Sequence, residues 1–287
     1  APTGIGKTIS TLFPALKALG EEQGERIFYL TAKTITRQAA EEALSKMRSH
    51  SCNTLRLKTL TLTAKEKICP MEHTECTPEA CPFAQGYYDR INDALYQFLT
   101  QTDEFTRDSI LSFAEQYKLC PFELSLDLSN WCDCIICDYN YLFDPVVSLK
   151  RFFSDGGDFI FLVDEAHNLV DRSRNMYSAR LCKTDFSKAK KMLGKEASKL
   201  KKALLKINRA WLALRQELLD QKERTLLFPD GKKEFAHILP SFSSAAEEWL
   251  KDHRTGEGHD TILQLYFDVK FFLKIWDLYD EHFTTLL

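Results

Sequence analysis

At 287 residues the chain can bury one large core or two to three small ones. Its 44% hydrophobic and 28% charged residues are those of a soluble globular protein, and no apolar run approaches the length needed to cross a bilayer. A net charge of −3 excludes a uniformly basic nucleic-acid binder, so any such surface has to be local.

The chain opens on APTGIGKT with no leading methionine, which reads as a piece cut from a larger protein. A phosphate loop follows the pattern G-x-x-x-x-G-K-[ST]. Here Ala1 holds the first position, and Pro2, Thr3, Gly4, Ile5 and Gly6 complete the bend. Gly4 and Gly6 let the backbone curl so that its N–H groups face the phosphates of ATP. Lys7 then brings charge to the β- and γ-phosphates, and Thr8 brings a hydroxyl to Mg²⁺. Residues 7–20 read as a helix bent at Pro14 and closed at Gly20, and its N-terminus adds a positive dipole end. A chance turn before a helix is the competing reading, and Gly-x-Gly-Lys-Thr running straight into a helix speaks against it.

RIFYLT (26–31) is a short apolar strand and residues 36–50 form a helix. Residues 69–82 hold three cysteine-led turns with little periodicity. Helices follow at 84–101, with Tyr87, Ile91, Leu95 and Phe98 on one face, and at 107–118. DCIICDY (133–139) and DFIFLVDEAH (158–167) are two more strands, and short strands alternating with helices indicate a parallel α/β sheet. The second of these strands stops at a pair of acids. Ligand groups of open α/β sheets gather at the carboxyl ends of strands. Asp164 is therefore the candidate to hold Mg²⁺ with Thr8, and Glu165 the candidate to orient and deprotonate the attacking water. His167 either senses the γ-phosphate or merely starts a helix.

From 183 onward Leu193, Ala197, Leu200, Leu204, Ile207, Trp211, Leu214 and Leu218 alternate steps of four and three, a packed helical seam. FPDGKKE (228–234) breaks it, and helices resume at 244–252 and 262–283. Lys183 to Arg209 carries ten basic residues against two acids, whereas 229–287 carries eleven acids against six. Those lysines either flank a phosphate path or form a solvated face opposite the seam.

Nine cysteines, an odd number, argue against a closed disulfide set. Cys69, Cys76, Cys81 and Cys120 follow C-x6-C-x4-C-x38-C. Thiolates are soft ligands that suit zinc and iron–sulfur clusters alike, and the spacing leaves both open. Cys132, Cys134 and Cys137 sit on a strand as small apolar residues, and Cys52 and Cys182 carry no partner signal. With no secretion signal at the N-terminus, a cytoplasmic address is the expectation.

Taken in order, A-P-T-G-x-G-K-T, the four cysteines, CDYNYLFDP (137–145) and D-E-A-H-N resemble the iron–sulfur superfamily 2 helicases of the XPD/DinG type. The resemblance covers residues 1–180 closely, and it looks nearer to the bacterial DinG-like branch. It implies an α/β fold: a RecA-like P-loop parallel sheet with a cysteine-rich iron–sulfur insert and a mostly helical arch insert. The implied organisation is a first motor part at 1–65, a cluster domain at 66–125, the rest of the motor domain with its DEAH box at 126–182, and the start of the arch at 183–287.

The resemblance also implies ATP-driven 5′-to-3′ movement on single-stranded and forked DNA, in repair or replication, by a monomer. It makes Cys69, Cys76, Cys81 and Cys120 ligands of a structural [4Fe–4S] cluster, and Thr31, Ala32, Lys33 and Thr34 contacts to the DNA backbone. The adenine-recognising region and the second motor domain of such proteins are not in the chain, so weak ATP binding and negligible unwinding are expected of it alone. A metal-stapled DNA-binding module, a redox-linked ATPase and a nuclease-linked relative are the other readings. Tyr87 and Tyr88 either stack on bases or serve the core.

Overall fold

The computed structural model describes residues 6–51, 54–72, 74–154, 156–194, 197–253, 255–256 and 258–287. The chain divides into two compact units, residues 1–172 and 173–287.

In the first unit the chain order is α1 (Lys7–Gly20), β1 (Arg26–Leu30), α2 (Thr34–His50), β2 (Thr59–Thr61), α3 (Lys65–Ile68), α4 (Tyr87–Gln101) and β3 (Glu104–Phe105). It continues with α5 (Arg107–Tyr117), α6 (Pro121–Leu128), β4 (Cys134–Cys137), α7 (Asn140–Phe143), α8 (Lys150–Phe153) and β5 (Phe159–Val163). The five strands form one parallel sheet in the order β3-β2-β4-β1-β5.

Side chains alternate across a strand, and the sequence uses both faces. Ile27 and Tyr29 of β1, with Cys134 and Ile136 of β4, meet Leu12 and Ala15 of α1 and Ala40, Ala43 and Leu44 of α2. On the other face Phe28 lies within 5.7 Å, centroid to centroid, of Phe152, Phe153, Phe159 and Phe161. A sheet covered on both faces explains why these strands read as unbroken apolar runs.

The register sets Leu30 level with Cys137 on one side and with Val163 on the other. Three chain segments therefore leave the sheet side by side at its carboxyl edge. Pro14 is accommodated inside α1 as expected.

The two remaining strands were not legible. β2 is three residues and two of them are threonine, which a periodicity reading assigns to a loop. Its hydroxyls are nonetheless satisfied inside the protein: Thr61 donates to the Glu41 carboxylate and Thr59 to the Asp103 carbonyl. β3, only two residues long, pairs with β2 and lies within the stretch expected to be the cluster domain.

The described part of the second unit contains α10 (Lys183–Met192), α11 (Ser198–Gln221), α12 (Lys233–Asp252) and α13 (His259–Trp276), with α9 (Leu169–Met176) crossing the division. Two short strands, β6 (Leu227–Phe228) and β7 (Thr285–Leu286), pair antiparallel. Leu193, Ala197, Leu200, Leu204 and Ile207 are buried against Leu239, Phe242 and Ala246 of α12 and Ile262, Leu265 and Val269 of α13. The seam is not one helix, because α10 ends at Met192 and α11 begins at Ser198. α12 starts eleven residues before the expected 244 and runs through Pro240. Seven buried side chains, Phe235 to Trp249, supply packing that offsets the lost backbone bond. The last helix stops at Trp276 rather than 283.

Candidate functional site

Ala1, Pro2, Thr3, Gly4 and Ile5 lie outside the described residues, so the phosphate loop is seen from Gly6. Gly6 precedes α1 in the left-handed region, at φ 72°, and a Cβ there would meet nothing within 4 Å. Glycine is required by the torsion, not by space. Its carbonyl accepts from the Ser10 N–H at 3.0 Å and from the Ser10 hydroxyl at 2.8 Å, which fixes the first turn.

Lys7 Nζ lies 3.6 Å from Glu165 Oε1, and His167 Nδ1 lies 3.5 Å from Glu165 Oε2. The two ends of the first unit thus meet at one carboxylate. All three groups are partly exposed, so the contact is screened and defines position more than stability. Glu165 itself is held left-handed, φ 50° and ψ 44°. Asn168 stabilises that turn, donating to the Glu165 carbonyl from its backbone N–H at 2.9 Å and its side-chain amide at 3.2 Å.

Thr8 and Asp164 share a neighbour, Tyr29, that periodicity had marked only as strand core. Burial first, and then the Asp164 charge, push its phenol up to about 12, with Thr8 acting in the opposite direction. The backbone of Asp164 is fixed twice: its N–H donates to the Leu30 carbonyl at 2.9 Å, and its carbonyl accepts from the Tyr139 hydroxyl.

Beside this pair, at the end of β4, Asp138 takes two guanidinium groups. Arg172 Nη2 lies 2.9 Å from Oδ1 and Arg37 Nη2 lies 3.6 Å from Oδ2. Arg172 also donates to Asn140 Oδ1 at 3.0 Å and stands 5.4 Å from the Tyr139 ring centre. The phrase Asp138-Tyr139-Asn140 therefore braces the acidic pair next door. Its part as a brace becomes visible only once strand order is known.

Of the segment expected to touch DNA, Thr31 is 1% exposed. Its hydroxyl is engaged with Thr36, and its N–H donates to the Cys137 carbonyl at 3.0 Å. Ala32 is half-buried and the Lys33 side chain is exposed. Thr34 begins α2, and its side chain lies outside what is described. Lys33 and the start of α2 are the parts of this segment that can reach a phosphate.

Cys69, Cys76, Cys81 and Cys120 all line one cavity of about 240 Å³. Among the described residues no group of three or more His, Cys, Asp or Glu side chains converges closely enough to hold a metal ion. The four thiols share a wall without forming a ligand set. Their chemistry fits a thiolate-held zinc or iron–sulfur group. The Lys65 side chain places positive charge near Cys76, Glu123 and Cys120. Burial pushes the Cys120 thiol up, opposed by the backbone N–H groups of Glu123 and Phe122 at the start of α6.

Tyr87 belongs to the core, its hydroxyl donating to Asp127 at 2.8 Å, whereas Tyr88 is 85% exposed. Cys132, Cys134 and Cys137 are buried as expected of packing residues. No helix among the described residues is long and apolar enough to cross a membrane.

The sequence pattern of the DEAD_2 family matches residues 30–186, more than half of the chain. A regulator of telomere elongation helicase 1 homolog from Caenorhabditis elegans is 24% identical over 226 residues, which is 65% of this chain and 23% of that protein. The general transcription and DNA repair factor IIH helicase subunit XPD/RAD3 of Saccharomyces cerevisiae is 29% identical over 107 residues, 37% of this chain and 13% of that protein. A Fanconi anemia group J protein homolog from Gallus gallus is 28% identical over 86 residues, 30% of this chain and 7% of that one. The chain spans less than a quarter of the length of these relatives. The solved structure of a truncated XPD superposes with a TM-score of 0.51 at 20% identity, over 97% of this chain and 76% of that one. A second, of an XPD helicase, gives 0.50 at 18%, over 97% of this chain and 46% of that one. At such identities the likeness speaks for the fold, an α/β sheet of the RecA-like helicase kind.

Proposed function

The chain belongs to the DEAD_2 family, and from that premise we propose that it forms one motor domain of an ATP-dependent DNA helicase. The observation that carries the reading is the contact of Lys7 with Glu165, the first residues of the chain against the last turn of the sheet. A lysine at the start of a helix facing paired acids at a strand end is the arrangement that phosphoryl transfer to water requires.

In this reading Lys7 leaves Glu165 when ATP arrives and moves to the β- and γ-phosphates. Glu165, freed of its cation, orients the attacking water and takes its proton. Thr8 and Asp164 would hold Mg²⁺, which would neutralise charge on the phosphates. His167 follows the position of Glu165 and so registers the γ-phosphate. Lys33 and the N-terminus of α2, one strand away, take a DNA phosphate. Movement is 5′ to 3′, and the setting is repair or replication.

Cys69, Cys76, Cys81 and Cys120 would hold a [4Fe–4S] cluster, whose four iron–thiolate bonds would cross-link a turn-rich insert that lacks a large core of its own. Zinc on the same thiols is the second reading.

The test is DNA-stimulated ATP hydrolysis by the full-length protein. Lys7→Ala is expected to lower it by about a hundredfold or more. Undiminished hydrolysis in that variant, or stimulation by a reductant and not by DNA, would overturn the proposal. For residues 1–287 alone, weak Mg²⁺-dependent ATP binding without strand separation is expected.

A further inference from the structure

The described part of the second unit contains a cavity of about 380 Å³ between α10 and α11. Its floor is apolar: Phe186 and Leu204 are buried, and the Trp211 ring is clamped edge-on against Phe235 at 4.9 Å. Its rim is cationic, formed by Lys183, Lys190 and Lys191 with Asn208 beside them. Among the described residues no carboxylate lines it. The Trp211 Nε1 donor is buried with no hydrogen-bond acceptor.

Four other lysines of this unit are paired: Lys188 lies 3.4 Å from Asp185, Lys199 2.6 Å from Glu248, Lys232 2.9 Å from Glu217, and Lys251 3.3 Å from Glu247. Among the described residues, none of the three rim lysines has an ion-pair partner, and neither has Lys201, Lys202, Lys206, Lys222, Lys233, Lys270 or Lys274. What sets the rim apart is that three such charges stand around one cavity with an apolar floor.

We propose that this cavity binds one nucleotide of a single-stranded nucleic acid. The base would rest on the Phe186–Leu204–Trp211 floor, and the rim lysines would take the phosphates. A lone phosphate has no use for an aromatic floor. Lys183 and Lys190 are separated by roughly 10 Å along the helix axis, more than one phosphate group can bridge, which favours a strand carrying successive phosphates. The inference rests on the DNA-motor reading above and adds a contact point to it.

The test is fluorescence anisotropy of a labelled oligothymidylate with the 287-residue chain, from 50 to 200 mM salt. Lys190→Ala/Lys191→Ala removes two exposed cations from the rim. Lys251→Ala/Lys270→Ala removes the same charge from exposed positions elsewhere in the unit. Circular dichroism checks that both variants are folded.

The rim variant is expected to bind at least fivefold more weakly, with a log–log salt slope shallower by about 1.4, since each phosphate neutralised on a single strand contributes about 0.7. The control variant is expected to stay within twofold of the parent. If the two variants behave alike, the cavity assignment falls and the motor reading stands. If the parent binds no strand while Lys7-dependent ATP binding persists, the DNA part of both falls. Displacement of the oligonucleotide by micromolar thymidine monophosphate would overturn the assignment in favour of a free-nucleotide site.

Discussion

Tyr29 neighbours both Thr8 and Asp164, and two measurements follow from its surroundings. Its phenol, normally near 10, is raised to about 12 by burial and the Asp164 charge. A raised folded-state value stabilises the protein fully below the unfolded value and loses that contribution as pH climbs through the folded one. Between pH 10 and about 12 the parent is therefore expected to lose stability more steeply than Tyr29→Phe, as read by urea unfolding at each pH. At neutral pH the same variant should weaken Mg²⁺-dependent nucleotide binding, since Thr8 and Asp164 lose the polar group beside them. Thiols give a second residue-scale test. Burial pushes Cys134 up to about 12 and raises Cys132 and Cys137 as well, so all three stay protonated and shielded. In metal-free protein at pH 8, iodoacetamide should modify the exposed Cys76 and leave these three intact, as read by peptide mass spectrometry. That Lys7 and Glu165 come together was legible because one follows a glycine bend at a helix start and the other stands just past a strand end. Tyr29 and Arg172 were not: a tyrosine inside an apolar strand and an arginine on a helix gain meaning only from neighbours supplied by strand order.

Among the elements, length decided what could be read. β1, β4 and β5 have four or five residues of apolar sequence and were visible, whereas β2 and β3 offer three and two. Their assignment depends on pairing partners that periodicity does not see. In the second unit the seam correctly marked Leu193 to Ile207 as buried, but it concealed the break between α10 and α11, because the spacing of apolar residues continues across the interruption. α12 begins at Lys233, well before the expected 244, and its packing carries it through Pro240. Phe242, fully buried between Phe186 and the facing helices, is where that packing is tested. Phe242→Ala is expected to cost about 3–5 kcal/mol, measured by chemical denaturation. A loss under 1 kcal/mol would show that the helix core is loosely packed.

At the scale of the whole molecule, family membership rests on residues 30–186, and the chain spans a small share of its relatives. What the insert binds is therefore a question for chemistry on this protein. Anaerobic purification followed by iron and acid-labile sulfide assay is expected to find both, and Cys120→Ser is expected to lose both while retaining its α/β circular dichroism. Zinc in place of iron would decide for the second reading.

Glu165 has a last consequence. A side chain in the left-handed region is strained by about 1–2 kcal/mol relative to glycine, against a margin of 5–15 kcal/mol for a typical domain. Among the described residues Glu165 is one of four non-glycine side chains at positive φ, with Glu22, Lys118 and Lys222, and it is the one whose carboxylate faces Lys7. Heat tolerance and the proposed turnover are then opposed at this position. Glu165→Gly should melt no lower than the parent and lose ATP hydrolysis, so a selection for thermal endurance alone would discard the proposed chemistry.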